Sequence, residues 1–360
     1  MHVPFCLTRC GYCDFNAYAD LGHLRSRYVA ALCAEADVVA PSWDGVHFDT
    51  VFLGGGTPTT LETAELIALL AHLRSRFDIA EGAEVTIEAN PDTVDRAMLS
   101  ELYAAGYGRL SMGVQSFDGG VLGSLERVHS ADSARGAFGA ARRAGYGNVN
   151  LDLIYGAEGE SLAAWGATLG EAVALGPEHV SAYALTVESN TPLGRQIASG
   201  VRPDPDPDLQ ADMFGMACEV LGAAGYEHYE VSNWAKAGFE CRHNQGYWRR
   251  QPYVGLGAGA HSYRNGRRWW NTRPPEAYLQ QVESGVAPTG GEEFLTPEEA
   301  RTEEFFLRLR TSEGIAAEDV DPSRADPYLR EGLLVRRNDS YVLTERGMFL
   351  ANEVVLALTG

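Results

Sequence analysis

Over residues 1–185 short β-rich runs alternate with longer helical patterns, and this alternation constrains the fold more than any other feature of the chain. Val51-Phe52-Leu53 reads as a buried strand, followed by a helical stretch from about Leu61 to Phe77. Glu84 to Glu88 is the next strand, with a helix from Arg96 to Ala105. Arg109 to Val114 precedes a long helical region from Gly120 to Ala144. A strand from Asn148 to Ile154, a helix from Leu162 to Leu175 and an extended run from His179 to Leu185 continue the rhythm. Strand and helix at this spacing build right-handed βαβ units on a parallel sheet, an α/β fold class. Successive strands end in Gly, Glu, Gln and Asp, residue types expected where strand C-terminal ends form a site.

The rhythm breaks at Arg202 to Asp208, where alternating Pro and Asp permit neither helix nor central strand. An extended loop is therefore expected before a helix from Leu209 to Ala224. Residues 226–273 are rich in aromatics and glycine with little periodicity. From Thr296 the pattern is helical, and Tyr328 to Thr344 reads as helix and then a small hairpin around Asn338-Asp339, a winged-helix-like tail. Three domains are expected, at 1–200, 201–290 and 291–360.

Hydrophobic residues at 45% and charged residues at 22% are ordinary for a globular chain. The net charge of -20 disfavours nucleic acid and anionic membrane surfaces as partners, since both need cationic contact. No run approaches the ~18 apolar residues of a transmembrane segment. No secretory leader is visible, so a cytoplasmic location is expected.

Six cysteines in 360 residues are no disulfide scaffold, but Cys6, Cys10 and Cys13 form a C-x3-C-x2-C cluster. Three thiolates can each bind one iron of a [4Fe–4S] cluster, leaving the fourth iron open to an external ligand. Structural zinc, with His2 or His23 as fourth ligand, is the rival reading, although zinc sites usually repeat a C-x2-C pair further on.

With Tyr12 just before the third cysteine, this spacing resembles the radical S-adenosylmethionine (SAM) superfamily. Further motifs narrow the resemblance to its HemN-like branch, which holds oxygen-independent coproporphyrinogen III dehydrogenases and the HemW-type heme chaperones. They are His2-Val3-Pro4-Phe5-Cys6, Gly54-Gly55-Gly56-Thr57-Pro58-Thr59, Ile87-Glu88-Ala89-Asn90-Pro91, Ser111 to Phe117 and Asn150 to Gly156. The similarity runs to about Leu350. It implies a partial (β/α)6 barrel with a small C-terminal winged-helix-like domain. It also implies a [4Fe–4S] cluster on Cys6, Cys10 and Cys13, with SAM on the open iron and reductive cleavage to methionine and a 5′-deoxyadenosyl radical. No catalytic side chain is implied.

By the same resemblance Gly54, Gly55, Gly56 and Thr57 hold the methionine group, and Glu88 also contacts SAM. Gln115 and Arg127 are its polar contacts, Arg127 being suited to the methionine carboxylate. Asp152 receives the ribose hydroxyls, and Ile154 and Ala184 line the adenine. Read without the resemblance, the glycines make a tight turn, Glu88 caps a helix and Arg127 is a solvated charge on a helix. The family's tyrosine two positions before the residue matching His2 would lie upstream of Met1, and the first barrel strand is expected to be almost entirely missing.

Three features divide the branch. The dehydrogenases carry a further cysteine two positions after the third cluster ligand, where this chain has Phe15. They also carry an N-terminal extension, and none is expected here before Met1. His243-Asn244-Gln245-Gly246-Tyr247-Trp248 is the H-N-x-x-Y-W motif that marks HemW-type proteins and is associated with heme binding. A neutral imidazole is a standard axial ligand of heme iron, and Tyr247 and Trp248 could offer flat contact to a porphyrin. A core histidine fixing a loop is the plain alternative. His261 is a second candidate, and Cys241 is expected to be a buried, inert thiol. The expectation is a heme chaperone that passes heme to an acceptor protein. The alternative is an oxidoreductase converting coproporphyrinogen III to protoporphyrinogen IX.

Overall fold

The computed structural model of the chain describes residues 1–359. Six strands, β1 His2–Val3, β2 His47–Gly55, β3 Asp78–Ala89, β4 Arg109–Gln115, β5 Val149–Tyr155 and β6 His179–Ala184, pair in chain order, each parallel to the next. The sheet continues through two antiparallel additions, β7 (Glu227–Glu230) at the edge and β8 (Asn233–Ala235) between it and β6. With β1 at one edge and β7 at the other the sheet stays open, a barrel that does not close. The first strand, expected to be almost absent, is two residues that pair with Gly54 and Gly55.

The crossovers are helical: α1 Arg25–Val39, α2 Thr63–Arg76, α3 Arg96–Ala105, α4 Gly119–Ser124, α5 Ala131–Ala144 and α6 Leu162–Leu175. Local chemistry sets their ends. The Asp95 carboxylate accepts from Met98 N at the start of α3, and Gly106, at φ 104, closes it in a left-handed turn that a side chain would resist. The single helix expected from Gly120 to Ala144 is instead broken in two. Glu126 adopts φ 54, which ends the first piece, and the Ser130 hydroxyl caps the second. That break matters because Arg127 lies in it. β4 and β5 are almost wholly buried, as strands of a parallel sheet covered on both faces are.

After α7 (Pro192–Ala198) the Pro-Asp loop leads into α8 (Pro207–Ala223), which starts two residues before Leu209 because Asp206 caps it and Pro207 suits the first helical position. The stretch of little periodicity holds more structure than its pattern suggests: α9 Arg242–Trp248, β9 His261–Arg264 and β10 Arg267–Asn271. With α10 (Pro275–Glu283) and β11 (Thr289–Phe294) these strands form a second, antiparallel sheet. The core of the main sheet extends into this region through Leu256, Tyr278 and Leu279. A separate apolar cluster around Leu309, Ala325, Val354 and Val355 supports the tail. The tail consists of α11 Pro297–Arg308, β12 Ile315–Ala316, α12 Pro322–Arg330, β13 Leu334–Arg337, β14 Ser340–Leu343, α13 Glu345–Met348 and α14 Ala351–Thr359. Its hairpin turns at Asn338, φ 51, as the Asn-Asp pair implied. Among the described residues no helix is long and apolar enough to cross a membrane.

One buried carboxylate ties these parts together. Glu35 of α1, 3% exposed, accepts from Gly257 N at 2.8 Å, Asn271 Nδ2 at 2.6 Å and Tyr278 Oη at 2.6 Å. Two turns away on α1, the Tyr28 hydroxyl donates to His2 O at 3.0 Å and accepts from Ala258 N at 2.7 Å. Removing the Glu35 carboxylate would orphan three buried donors. Glu35→Ala is expected to lower stability by about 3 kcal/mol in urea unfolding, and a change well under 1 kcal/mol would remove Glu35 from this role.

Candidate functional site

At the C-terminal ends of the parallel strands lies a cavity of about 390 Å3, bordered by Cys6, Cys10 and Cys13. The cysteine loop is held by backbone contacts: Cys6 N donates to Tyr18 O at 3.0 Å, Cys13 N to Cys10 O at 3.1 Å and Leu193 N to Gly11 O at 2.9 Å. Among the described residues no three His, Cys, Asp or Glu side chains converge where a single metal ion could sit. His2 borders a different cavity and bonds Asn16 O, and His23 is exposed, so neither completes a zinc site with the cysteines. Three thiols on one cavity wall without a common focus suit a polynuclear cluster, in which each thiolate takes a different iron.

The other walls gather most of the residues expected to hold SAM. Gly55, Gly56, Thr57, Glu88, Gln115, Arg127, Asp152, Ile154 and Ala184 all border the cavity, whereas Gly54 faces the neighbouring one. The glycines are bare chiefly because the chain itself passes against them. A Cβ on Gly56 would lie 2.7 Å from Phe5 O, and one on Gly55, at φ 113, would strike the His2 ring. Gln115 is buried at φ 66, a left-handed conformation rare outside glycine.

Arg127 is neither helical nor solvated. Its Nη2 donates to Asn90 Oδ1 at 2.6 Å and Gly113 O at 2.9 Å, and Nη1 to Cys10 Sγ at 3.5 Å. Its Nε is buried without a partner. Asp152 obtains donors from the chain: Asn150 Nδ2 at 2.9 Å and Ser111 Oγ at 3.0 Å. Glu88 accepts from Gly55 N at 3.0 Å. Burial, then the charge of Asp152, pushes Glu88 up to about 7. Two adjacent carboxylates, a guanidinium and three thiols match a ligand carrying an amine, a carboxylate and hydroxyls, which SAM does. Asn90, Ser111 and Asn150, which position these groups, went unassigned from the sequence, although all three fall inside the motifs that carry the resemblance.

Across Gly55 lies a second cavity, of about 710 Å3, bordered by His243 and His261. The Glu84 carboxylate accepts from Arg242 N and His243 N, both at 3.2 Å, and so anchors the N-terminus of α9. The His243 ring stacks on Phe52 at 5.1 Å, with Nδ1 2.8 Å from Thr50 Oγ1 and Nε2 2.8 Å from Tyr247 Oη. Burial pushes its pKa down to about 3, so the imidazole is neutral. Cys241 is fully buried, and burial pushes its thiol up to about 11. Trp248 turns away from this cavity into a small hollow beside Tyr229.

Because the folded pKa of Glu88 exceeds the unfolded one, its ionised form costs stability above pH 7, and that cost fades as pH falls through 7 toward 4.5. Glu88→Gln is expected to stabilise the protein on the order of 2 kcal/mol at pH 8 and hardly at all at pH 4.5, read from urea midpoints. A variant less stable than wild type at pH 8 would contradict this.

Comparison with known proteins adds to the geometry. A family model described as the radical SAM superfamily matches residues 1–172, and one described as the HemN C-terminal domain matches residues 295–350. The heme chaperone HemW of Mycobacterium tuberculosis is 43% identical over 366 residues, covering 100% of this chain and 94% of the relative. HemW of Escherichia coli is 35% identical, covering 99% and 96%, and that of Bacillus subtilis 34% identical, covering 100% and 98%. Among solved structures, coproporphyrinogen III oxidase (HemN) from Escherichia coli superposes with a TM-score of 0.86 at 24% identity, covering 99% of this chain and 88% of that one. At that identity the likeness speaks to the fold alone.

Proposed function

The chain belongs to the HemW family of the radical SAM superfamily, and on that premise we propose that it is a cytoplasmic heme chaperone, binding heme beside a [4Fe–4S] cluster and SAM and passing the heme to an acceptor protein. In this reading residues 1–200 are the radical SAM barrel, 201–290 the extension carrying His243, and 291–360 the C-terminal domain.

The observation that carries the heme assignment is the state of His243. It is neutral, as a ligand must be, and it borders a cavity of a size that suits a large ligand. Thr50 holds Nδ1 from within β2, whereas Nε2 is held by Tyr247, which is 42% exposed. Nε2 is therefore the nitrogen that can be freed for iron by a movement of one side chain, while Thr50 keeps the ring in place.

Cys6, Cys10 and Cys13 would hold the cluster. Gly55 to Thr57 would edge the methionine group of SAM, Gly54 falling outside this set because it faces the neighbouring cavity, and the Arg127 guanidinium would take its carboxylate. Glu88 and Gln115 would supply further polar contacts, Asp152 the ribose contact, and Ile154 and Ala184 the adenine wall. When bound, cluster and SAM supply one-electron chemistry. Phe15, exposed at the mouth of this cavity, speaks against coproporphyrinogen decarboxylation, whose enzymes have a cysteine there.

Anaerobic hemin titration of cluster-reconstituted protein, followed by the Soret band, is expected to show one-to-one binding that weakens at least about tenfold in His243→Ala. Equal affinity in the variant would move the iron ligand to another residue, His261 first. An absence of specific binding would sink the chaperone reading and call for a product assay with coproporphyrinogen III. Cys6→Ala, Cys10→Ala and Cys13→Ala should each lose cluster iron and sulfide, while Cys33→Ala should retain both. Full retention in all three would remove the cluster from this loop.

A further inference from the structure

Beside the cavity of His243 lies another of about 730 Å3, and Tyr247, Tyr253 and His261 border both. Its walls are aromatic. Tyr253 meets Tyr247 edge-on at 4.8 Å and Tyr263 at 6.2 Å, and His261 stacks on Trp270 at 5.5 Å. Two guanidiniums are set into this apolar surface: Arg250, just after α9, with its side chain 15% exposed, and Arg268 of β10, 26% exposed. Both converge on one carboxylate, that of Glu303 in α11. Arg250 Nε donates to Oε2 at 3.0 Å, and Arg268 Nη2 donates to Oε1. Arg250 Nη2 also donates to Tyr263 Oη at 2.8 Å, and Arg268 Nη1 to Glu293 Oε1 at 2.7 Å. Arg250 reaches this position from a left-handed backbone, φ 53, a conformation that costs energy for any residue with a side chain.

Two half-buried guanidiniums gripping one carboxylate make a preorganised carboxylate seat, because the planar donors are already aimed and partly desolvated. Here the tail of the same chain fills it. We propose that this seat recognises the carboxylate edge of a flat aromatic ligand, a metalloporphyrin with its propionates, and that Glu303 is an internal stand-in which the ligand displaces. The proposal rests on the heme reading above and deepens it by naming what holds the edge of the ring. The aromatic walls supply stacking faces that a small carboxylate could not use, which selects a large flat acid. The exchange is charge-neutral and breaks no covalent bond: one carboxylate leaves the two arginines as another arrives. Glu303 then turns to solvent, and α11 loses two of its ion pairs. Porphyrin recognition and docking of the C-terminal segment thus compete for the same two side chains.

Hemin and hemin dimethyl ester share ring and iron but differ in the carboxylates, so their comparison isolates the seat. Both would be titrated into the full-length, cluster-reconstituted protein in one detergent-containing buffer and followed by the Soret band. Hemin is expected to bind about tenfold more tightly than the ester. Glu303→Gln should tighten hemin several-fold and leave the ester unchanged. Arg250→Ala combined with Arg268→Ala should bind both equally. Equal affinities of hemin and ester for the wild-type protein would overturn the seat while leaving the chaperone reading intact, whereas failure of either to bind specifically would overturn both. If the double arginine variant loses the ester as well, its fold is impaired and Glu303→Gln decides: unchanged or weaker hemin binding there would overturn the seat.

Discussion

The architecture depends on one close approach. Residues 3 to 5 pass so near the end of β2 that Gly56 has no room for a Cβ beside Phe5 O and Val3 O, and Gly55 none beside His2. This contact seats β1 in the sheet and launches the cysteine loop from a fixed point. It also leaves Gly55 as the shared wall between two cavities, one bordered by thiols and carboxylates, the other by His243. A side chain at Gly55 would meet the His2 ring between the two cavities, and one at Gly56 would meet backbone, which cannot yield as a flexible side chain can.

Around that wall the open barrel buries a connected set of polar side chains. Arg109 is 3% exposed, its Nε without a partner, on the same strand as Ser111 and Gly113. Asn150 joins Asp152 and Ser111 to His179, which in turn bonds Tyr229, whose hydroxyl accepts from Cys241 N just ahead of α9. Burial favours the neutral forms throughout, raising Glu88 and Asp152 and lowering His179 and His243. A neutral His243 is ready to bind a metal, and a Glu88 poised near neutrality is ready for a cationic or donor-rich ligand.

Much of this was legible from the chain. The βα rhythm located β4, β5 and β6 to within a residue and the C-terminal ends of β2 and β3 to within two, because burial on both faces imposes apolar runs there. The more exposed starts of β2 and β3 lie four and six residues earlier than the pattern implied. The helix expected across 120–144 was not one helix. Nothing in Leu125 to Ser130 forbids helix strongly, and only Glu126 turning left-handed and the Ser130 cap reveal the break. Likewise residues 226–273 lack a period because their strands are short and partly exposed, and their order comes from Glu35, Tyr28 and Tyr278 at long sequence separation.

Sequence alone determined the chemistry on offer: three thiols at C-x3-C-x2-C, carboxylates at strand ends, and a histidine followed four residues later by a tyrosine. Short-range spacing suffices for that, since ligands on one loop or one helical turn are close whatever the rest of the chain does. Tertiary structure alone decided which groups face each other. Arg127 meets Asn90 and Cys10 only because a helix breaks, the His243 ring is fixed between Phe52 and Thr50 only because α9 is anchored on Glu84, and Arg250 and Arg268 share Glu303 only because the tail folds back. Such contacts join residues tens to hundreds of positions apart, and no local pattern records them because packing, not propensity, brings them together.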